Sequence, residues 1–290
     1  MSRRTPWAIP LVLLLGICCT AQAQESYLDE YVVHVKPEKR SAYDALIKKL
    51  VAANRDHSGD NWVALETAYG EGDTIRFVST RSSYAEIEKA SGVFMGAVEK
   101  ALGRPGTENL FETLASYTAD SNSMLLRRRP DLSVNFPSDA AAQAKAVGNT
   151  RWIRLIRIVV RIGQGPRFEE LAKQVKAAEE KASPNTRSWI SQSAAGERAS
   201  VYYVAELQSS LAGFDGAPVL SQMMGKDAYQ DLLKTASEVI QTEDVTLNRF
   251  APELSNPPAD TVNAAPDFWR LKTAASKPAA ASQSQTTAQK

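Results

Sequence analysis

Two histidines are the only imidazoles in the 290-residue chain, and its two cysteines, Cys18 and Cys19, stand close to its start. Acid–base or metal chemistry therefore falls on few side chains. His34 is the sharpest candidate. It sits in the middle of an apolar strand-like run, where a neutral imidazole can serve as a general base or a haem ligand. The plainer reading is a histidine hydrogen-bonded between packed sheets. His57, in Arg55-Asp56-His57-Ser58-Gly59-Asp60, has carboxylates on both sides, but adjacent side chains do not converge well on one ion and no second histidine is near. That segment reads as a solvated loop.

Five arginines, Arg76, Arg127, Arg157, Arg161 and Arg249, fall in segments that read as strands. An arginine between sheets requires a carboxylate or an anionic ligand, because burying the cation unpaired is costly. Glu66 and Glu206 are candidate partners, so ion pairs are expected ahead of an anion pocket. Arg76, Arg127, Arg157 and Arg249 are kept as candidate ligand-binding residues, together with Trp62 and Trp189 as pocket walls. No phosphate loop, nucleophile elbow, zinc signature or dinucleotide fingerprint is present, and the sequence names no cofactor.

The elements that must position these residues occur twice. The stretch from Tyr27 to about Ser133 is echoed in order from Trp152 to about Ser255. The clearest echo is gapless: Leu102-Gly103 through Pro130-Asp131-Leu132-Ser133 lies over Met224-Gly225 through Pro252-Glu253-Leu254-Ser255. Tyr43 matches Phe168, and Trp62 matches Trp189, which implies a shared packing role for the two indoles. A repeat this long means two similar domains rather than a solenoid.

Periodicity gives each copy the order βαββαβ. In the first, a strand over 27–36 alternates Tyr31, Val33 and Val35 with Val32, His34 and Lys36. A helix carries Tyr43, Leu46, Ile47, Leu50 and Val51 on one stripe. A hairpin joins 61–68 to 74–80, a helical region over 84–117 is broken at Gly103-Arg104-Pro105-Gly106, and a strand over 123–129 closes the unit. The second copy repeats this, with Ile156, Ile158, Val160 and Ile162 on one face of its first strand. The apolar face of each first strand is expected under the helices. His34, Arg157 and Arg161 then look toward the partner sheet.

Arg3 and Arg4, the apolar run from Ile9 to Ile17, and Ala21-Gln22-Ala23 form the pattern of an export signal. The run is short for a membrane anchor. The domain plan is then a signal over 1–23, a first repeat over 24–133, a linker over 134–150 with a single helical turn, a second repeat over 151–255 and a disordered tail over 256–290. Within that tail, Phe268 and Trp269 are the residues able to dock back. The expected location is periplasmic or secreted. A mature chain cut after Ala23 holds no cysteine, hence no disulfide or thiolate nucleophile. The net charge of +1 offers no electrostatic case for nucleic acid.

Two βαββαβ units in tandem resemble the dimeric α/β-barrel superfamily, whose units are ferredoxin-like, and within it the antibiotic-biosynthesis-monooxygenase-like and NIPSNAP-like members. The resemblance implies an α+β fold with an intramolecular pseudo-dimer: two sheets face to face, helices outside, and a cleft between sheet and helices or between the sheets. Fold alone does not select a reaction. The first expectation is an exported, non-catalytic binding protein for a small apolar or weakly anionic ligand or an envelope protein partner. The alternative is a cofactor-independent or haem-linked monooxygenase-like enzyme using His34. A third reading, an interaction module, predicts an exposed apolar patch around Phe268 and Trp269.

Overall fold

The computed structural model describes residues 26–183, 185–215 and 219–270. The proposed signal and the last part of the expected tail lie outside the described residues. The N-terminal half runs β1 (Tyr27–Val35), α1 (Arg40–Asp56), β2 (Val63–Tyr69), β3 (Thr74–Arg81), α2 (Tyr84–Tyr117) and β4 (Thr118–Arg128). A linker helix, α3 (Ala140–Asn149), leads to β5 (Trp152–Val160), α4 (Gly165–Ala182), β6 (Ser188–Ala195) and β7 (Val201–Gln208). The short α5 (Leu220–Met224) and then α6 (Lys226–Val239) precede β8 (Ile240–Phe250), with α7 (Ala259–Ala264) and α8 (Pro266–Trp269) following.

The eight strands close into one antiparallel barrel in the order β1-β3-β2-β8-β5-β7-β6-β4. Pairs β2–β8 and β4–β6 join the halves, so neither sheet keeps a free edge. Alternation sets the faces as expected. Val33 and Val35 pack outward under α1 and α2 with Tyr43, Ile47 and Leu50, and Ile158 and Val160 pack outward against Phe168 on α4. Val32 turns inward against Met124, Leu126, Val201 and Tyr203, residues from the opposite half among them. Ile162 departs from its expected place: β5 ends at Val160, and Ile162 stands almost fully exposed beyond it.

The gapless echo turns out to be a reciprocal clasp. After β4, Ser133 donates its hydroxyl to the Arg129 carbonyl at 2.7 Å and accepts from the Ile190 N–H of β6 at 2.8 Å. After β8, Ser255 donates to the Ala251 carbonyl at 2.7 Å and accepts from the Ala64 N–H of β2 at 2.8 Å. Leu132 enters the core of the C-terminal half and Leu254 that of the N-terminal half. Backbone bridges complete the symmetry, Val134 to Ser188 and Asn256 to Trp62. Each half thus ends inside the other.

Two segments are more ordered than their composition suggests. The linker holds a ten-residue helix, α3, capped by Asp139, whose carboxylate accepts from the Ala142 N–H. Residues 256–270, expected in the disordered tail, fold as α7 and α8. Trp269 packs edge-on against Phe250, is 3% exposed, and donates to the Gly148 carbonyl. Phe268 lies under the Arg151 guanidinium. The patch that an interaction module needs is thereby covered. No helix among the described residues is long and apolar enough to cross a membrane.

Candidate functional site

Helix α2 governs a cavity on the outer face of the N-terminal sheet. Ser83 caps its N-terminus by accepting from the Glu86 N–H, and Glu86 returns a bond to the Ser82 N–H. At Gly103 (φ 68°) and Pro105 the helix bends, and the Thr107 hydroxyl takes up the Gly103 carbonyl. The bent helix arches over the outer face of β1 and β3, leaving a space of about 850 Å³ between sheet, α1 and α2. That is in the range of small-molecule sites, roughly 300–1,000 Å³.

Its walls are aromatic. Tyr31 stacks on Phe77 with ring centres 6.4 Å apart, and Trp62 meets Phe94 edge-on at 5.9 Å. Phe94 in turn meets Phe111. Tyr43 lines the floor; burial pushes its phenol well above the usual range, helped by nearby Tyr31 and Asp44, so it stays protonated and able to donate. Polar groups lie at the margin. Arg81 grips Asp60 through two bonds of 2.8 and 2.6 Å and reaches Asp29 at 3.4 Å. Burial works to lower the Arg81 pKa, but these carboxylates outweigh it and raise it. Asp120, exposed on β4, is a further lining carboxylate.

The C-terminal half carries a different residue at one matching strand position. Register pairs Val33 with Ile75 and Ile158 with Tyr202, so Tyr202 stands where the N-terminal half has Ile75. Its ring packs on Phe168 at 4.4 Å, and its hydroxyl donates to Glu169.

His34 faces the other side of β1. Its Nδ1 is 2.9 Å from the Thr74 hydroxyl and 3.5 Å from Glu71, and its Nε2 is 3.7 Å from Asp120. It reaches the helix-side cavity through Asp120 and does not line it. An imidazole-ligated haem in that cavity does not fit the residues present: no histidine, cysteine or methionine lines it. His57 caps the end of α1, and its neighbour Asp60 is taken by Arg81. Asn54 builds that loop, donating to the Asp60 carbonyl and accepting from the Asp60 N–H. Among the described residues no cluster suited to a metal ion occurs.

The arginines are paired as the cost of burial demands. Arg76 meets Glu30 at 2.7 Å, Arg157 grips Glu197 at 2.8 and 3.0 Å, and Arg249 meets Glu66 at 2.9 Å, with Arg40 of α1 on the other oxygen of Glu66. Glu206 holds Arg154. Arg127 donates to Gln192 across the β4–β6 seam. The expected equivalence of Trp62 and Trp189 fails by one residue. Val63 pairs with Val78 as Trp189 pairs with Ala205, and the pairings of β1 and β5 make Val78 and Ala205 equivalent. Trp189 therefore corresponds to Val63 and faces the barrel interior, whereas Trp62 faces the helices and donates to the Leu254 carbonyl at 2.8 Å. Shifting a strand alignment by one residue moves a side chain to the opposite face. The sequence reading missed Tyr43, Phe77, Phe94 and Phe111 as cavity residues, having taken Tyr43 as helix stripe alone.

The described residues form an α+β fold around a closed, eight-stranded antiparallel barrel. Solved structures similar to it include an inferred monooxygenase from Lactobacillus acidophilus NCFM, at 10% identity over 78% of this chain and 93% of that one, with a TM-score of 0.45. An anthrone oxidase-like protein aligns at 10% identity over 79% and 92%, with a TM-score of 0.48. A chlorite dismutase from Candidatus Nitrospira defluvii aligns at 10% identity over 79% and 92%, with a TM-score of 0.43. No protein-family profile and no curated relative matches the sequence. The expectation of a non-catalytic binding protein is not carried by these neighbours, which are described as a monooxygenase, an anthrone oxidase-like protein and a chlorite dismutase; at this identity the likeness is one of fold alone.

Proposed function

We propose that the protein is an enzyme of the dimeric α/β-barrel kind, two ferredoxin-like units fused in tandem and exported from the cytoplasm, that oxidises a flat, largely apolar molecule with dioxygen as co-reactant. The tandem reading is supported by the shared element order, the matched strand registers and the sequence echo. One observation carries the functional reading: an aromatic-walled cavity of about 850 Å³ with a phenol held protonated on its floor and a carboxylate at its edge.

Such a site suits a substrate whose CH₂ lies in conjugation with a carbonyl, as in an anthrone. Asp120 is the candidate base, since Asp29 and Asp60 are engaged by Arg81. Its carboxylate takes a proton from the CH₂, and the electron pair moves onto the carbonyl oxygen, where the Tyr43 hydroxyl donates a hydrogen bond. The carbanion form bonds to dioxygen and regains a proton as a hydroperoxide, which loses water to leave a new carbonyl. The balance is CH₂ + O₂ → C=O + H₂O. His34 acts through Asp120 as a positioning residue.

Anthrone and related tricyclic ketones, supplied in air, test this by oxygen uptake and by product mass showing one oxygen gained and two hydrogens lost. Tyr43→Phe is expected to lower turnover about 100-fold, the scale of removing one oxyanion donor, with the melting temperature checked separately. His34→Ala is expected to lower turnover less than about tenfold and to shift its pH profile, as befits a group acting through Asp120. Binding without turnover across the probe set, or undiminished turnover in a folded Tyr43→Phe, refutes the reading.

A further inference from the structure

The barrel interior holds a second cavity, of about 450 Å³, on the opposite side of the β1–β3 sheet from the first. Its lining mixes apolar residues such as Leu65, Ile153 and Leu155 with the paired Glu30 and Arg76, the paired Asp60 and Arg81, and the carboxylates of Glu86 and Asp260. The linker helix closes one end, where Gln143 of α3 and Phe136 face Arg128 and Trp189. Arg128, like Arg151, bonds only neutral groups. It donates to the Gln143 side-chain carbonyl at 2.8 Å and to the Thr80 hydroxyl at 3.1 Å, and its guanidinium lies 5.7 Å from the Phe136 ring centre and 6.0 Å from that of Trp189. No carboxylate among the described residues lies within ion-pairing distance of it, and burial pushes its pKa down to about 10. Beside it, Trp189 is 8% exposed and its indole N–H is buried without an acceptor.

A half-buried cation without a carboxylate partner and a buried donor lacking an acceptor are each costly. Here they converge on one end of the cavity, beside its apolar stretch of Leu65, Ile153 and Leu155. We infer that the barrel interior is a second ligand site, for an amphipathic carboxylate whose anionic head meets Arg128 and the Trp189 N–H and whose apolar body lies along the lumen toward Leu65 and Leu155. The site stands independently of the helix-side cavity and of the reaction proposed for it.

Decanoate and decan-1-ol, titrated into the full chain and followed by calorimetry and by tryptophan fluorescence, separate head from body. Decanoate should bind at least tenfold more tightly than the alcohol. Arg128→Met should erase that difference, a loss of roughly 10- to 100-fold for the acid, the scale of a charge-assisted bond, while leaving the alcohol unchanged. Arg128→Lys, which keeps the charge, should restore part of it. Trp189→Phe, which keeps the ring and removes only the donor, should weaken the acid severalfold. Benzoate and decanoate, compared at equal charge, tell a ring-bearing acid from a chain. Equal affinity for acid and alcohol, an acid affinity untouched by Arg128→Met, or no binding of either acid overturns the inference.

Discussion

Replacing Ser133 or Ser255 by alanine tests the clasp directly. Both serines are fully buried, and each hydroxyl donates to the carbonyl four residues back while accepting a strand N–H from the opposite half. Alanine leaves the Ile190 or Ala64 N–H without that acceptor, and the Arg129 or Ala251 carbonyl loses one donor. Stranding a buried backbone donor costs about 1–3 kcal/mol, and the lost donation adds about 1 kcal/mol. Each variant should therefore fall by roughly 2–4 kcal/mol in urea unfolding. Ser116→Ala, which removes only an exposed bond to the Thr113 carbonyl, should change stability by less than about 0.5 kcal/mol. Circular dichroism together with Trp62 and Trp189 fluorescence follows both halves at once. A single shared transition, shifted alike by either substitution, is the expected result. A loss below about 0.5 kcal/mol in both variants, or two separate transitions of which only one moves, would refute the idea that the halves are locked reciprocally.

Two further outcomes follow from the seams. At the β6–β7 turn Gly196 has φ +88°, and a Cβ there would meet the Ser123 carbonyl oxygen of β4 at 2.4 Å, so Gly196→Ala should cost about 1–3 kcal/mol and speed amide exchange along β4–β6. Arg129 bonds Glu169 of α4 at 2.6 Å and Asp131 at 2.7 Å, and these bonds hold both carboxylates below their usual range. Depressed carboxylates stabilise the fold above their unfolded pKa and lose that contribution as pH falls through the folded one. Melting temperature should accordingly drop on acidification below about pH 4.5, and Arg129→Met should lower it at pH 7 while flattening that drop; an unchanged acid slope would show that other groups carry it.

Much of the fold was legible because strand alternation is a two-state code. Val33 outward and Val32 inward follow from each other, as do Ile158 and Arg157, and the break at Gly103–Pro105 is written in residues that leave the helical region. The failures are as physical. Trp62 and Trp189 match by type and approximate spacing, yet a one-residue difference in strand alignment separates their faces. Helix α3 was reduced to one turn because its alanines carry little amphipathic signal, and α7 and α8 were assigned to the tail because they are held by one anchor, Trp269, rather than by a stripe. The cavity was hidden because its aromatic walls, Phe77, Phe94 and Phe111, come from separate elements and each looks like ordinary core in sequence. Arg128 escaped as a site residue because Arg127-Arg128-Arg129 reads as a charged strand end, although its three guanidinium groups go to a seam glutamine, the lumen and two carboxylates.

The reciprocal clasp also bears on assembly. Each half supplies the piece that completes the other, so the connection through residues 137–139 fixes which copy is completed and adds no contact that the clasp itself requires. A cut in that connection should leave two fragments that still find one another, with affinity drawn from the β2–β8 and β4–β6 seams. The same logic runs in reverse at high concentration: two intact chains can each lend their closing segment to the other, giving an exchanged pair whose barrels are made of the same contacts as the monomer. Chain connectivity, rather than any contact in the clasp, decides whether one chain or two supplies it.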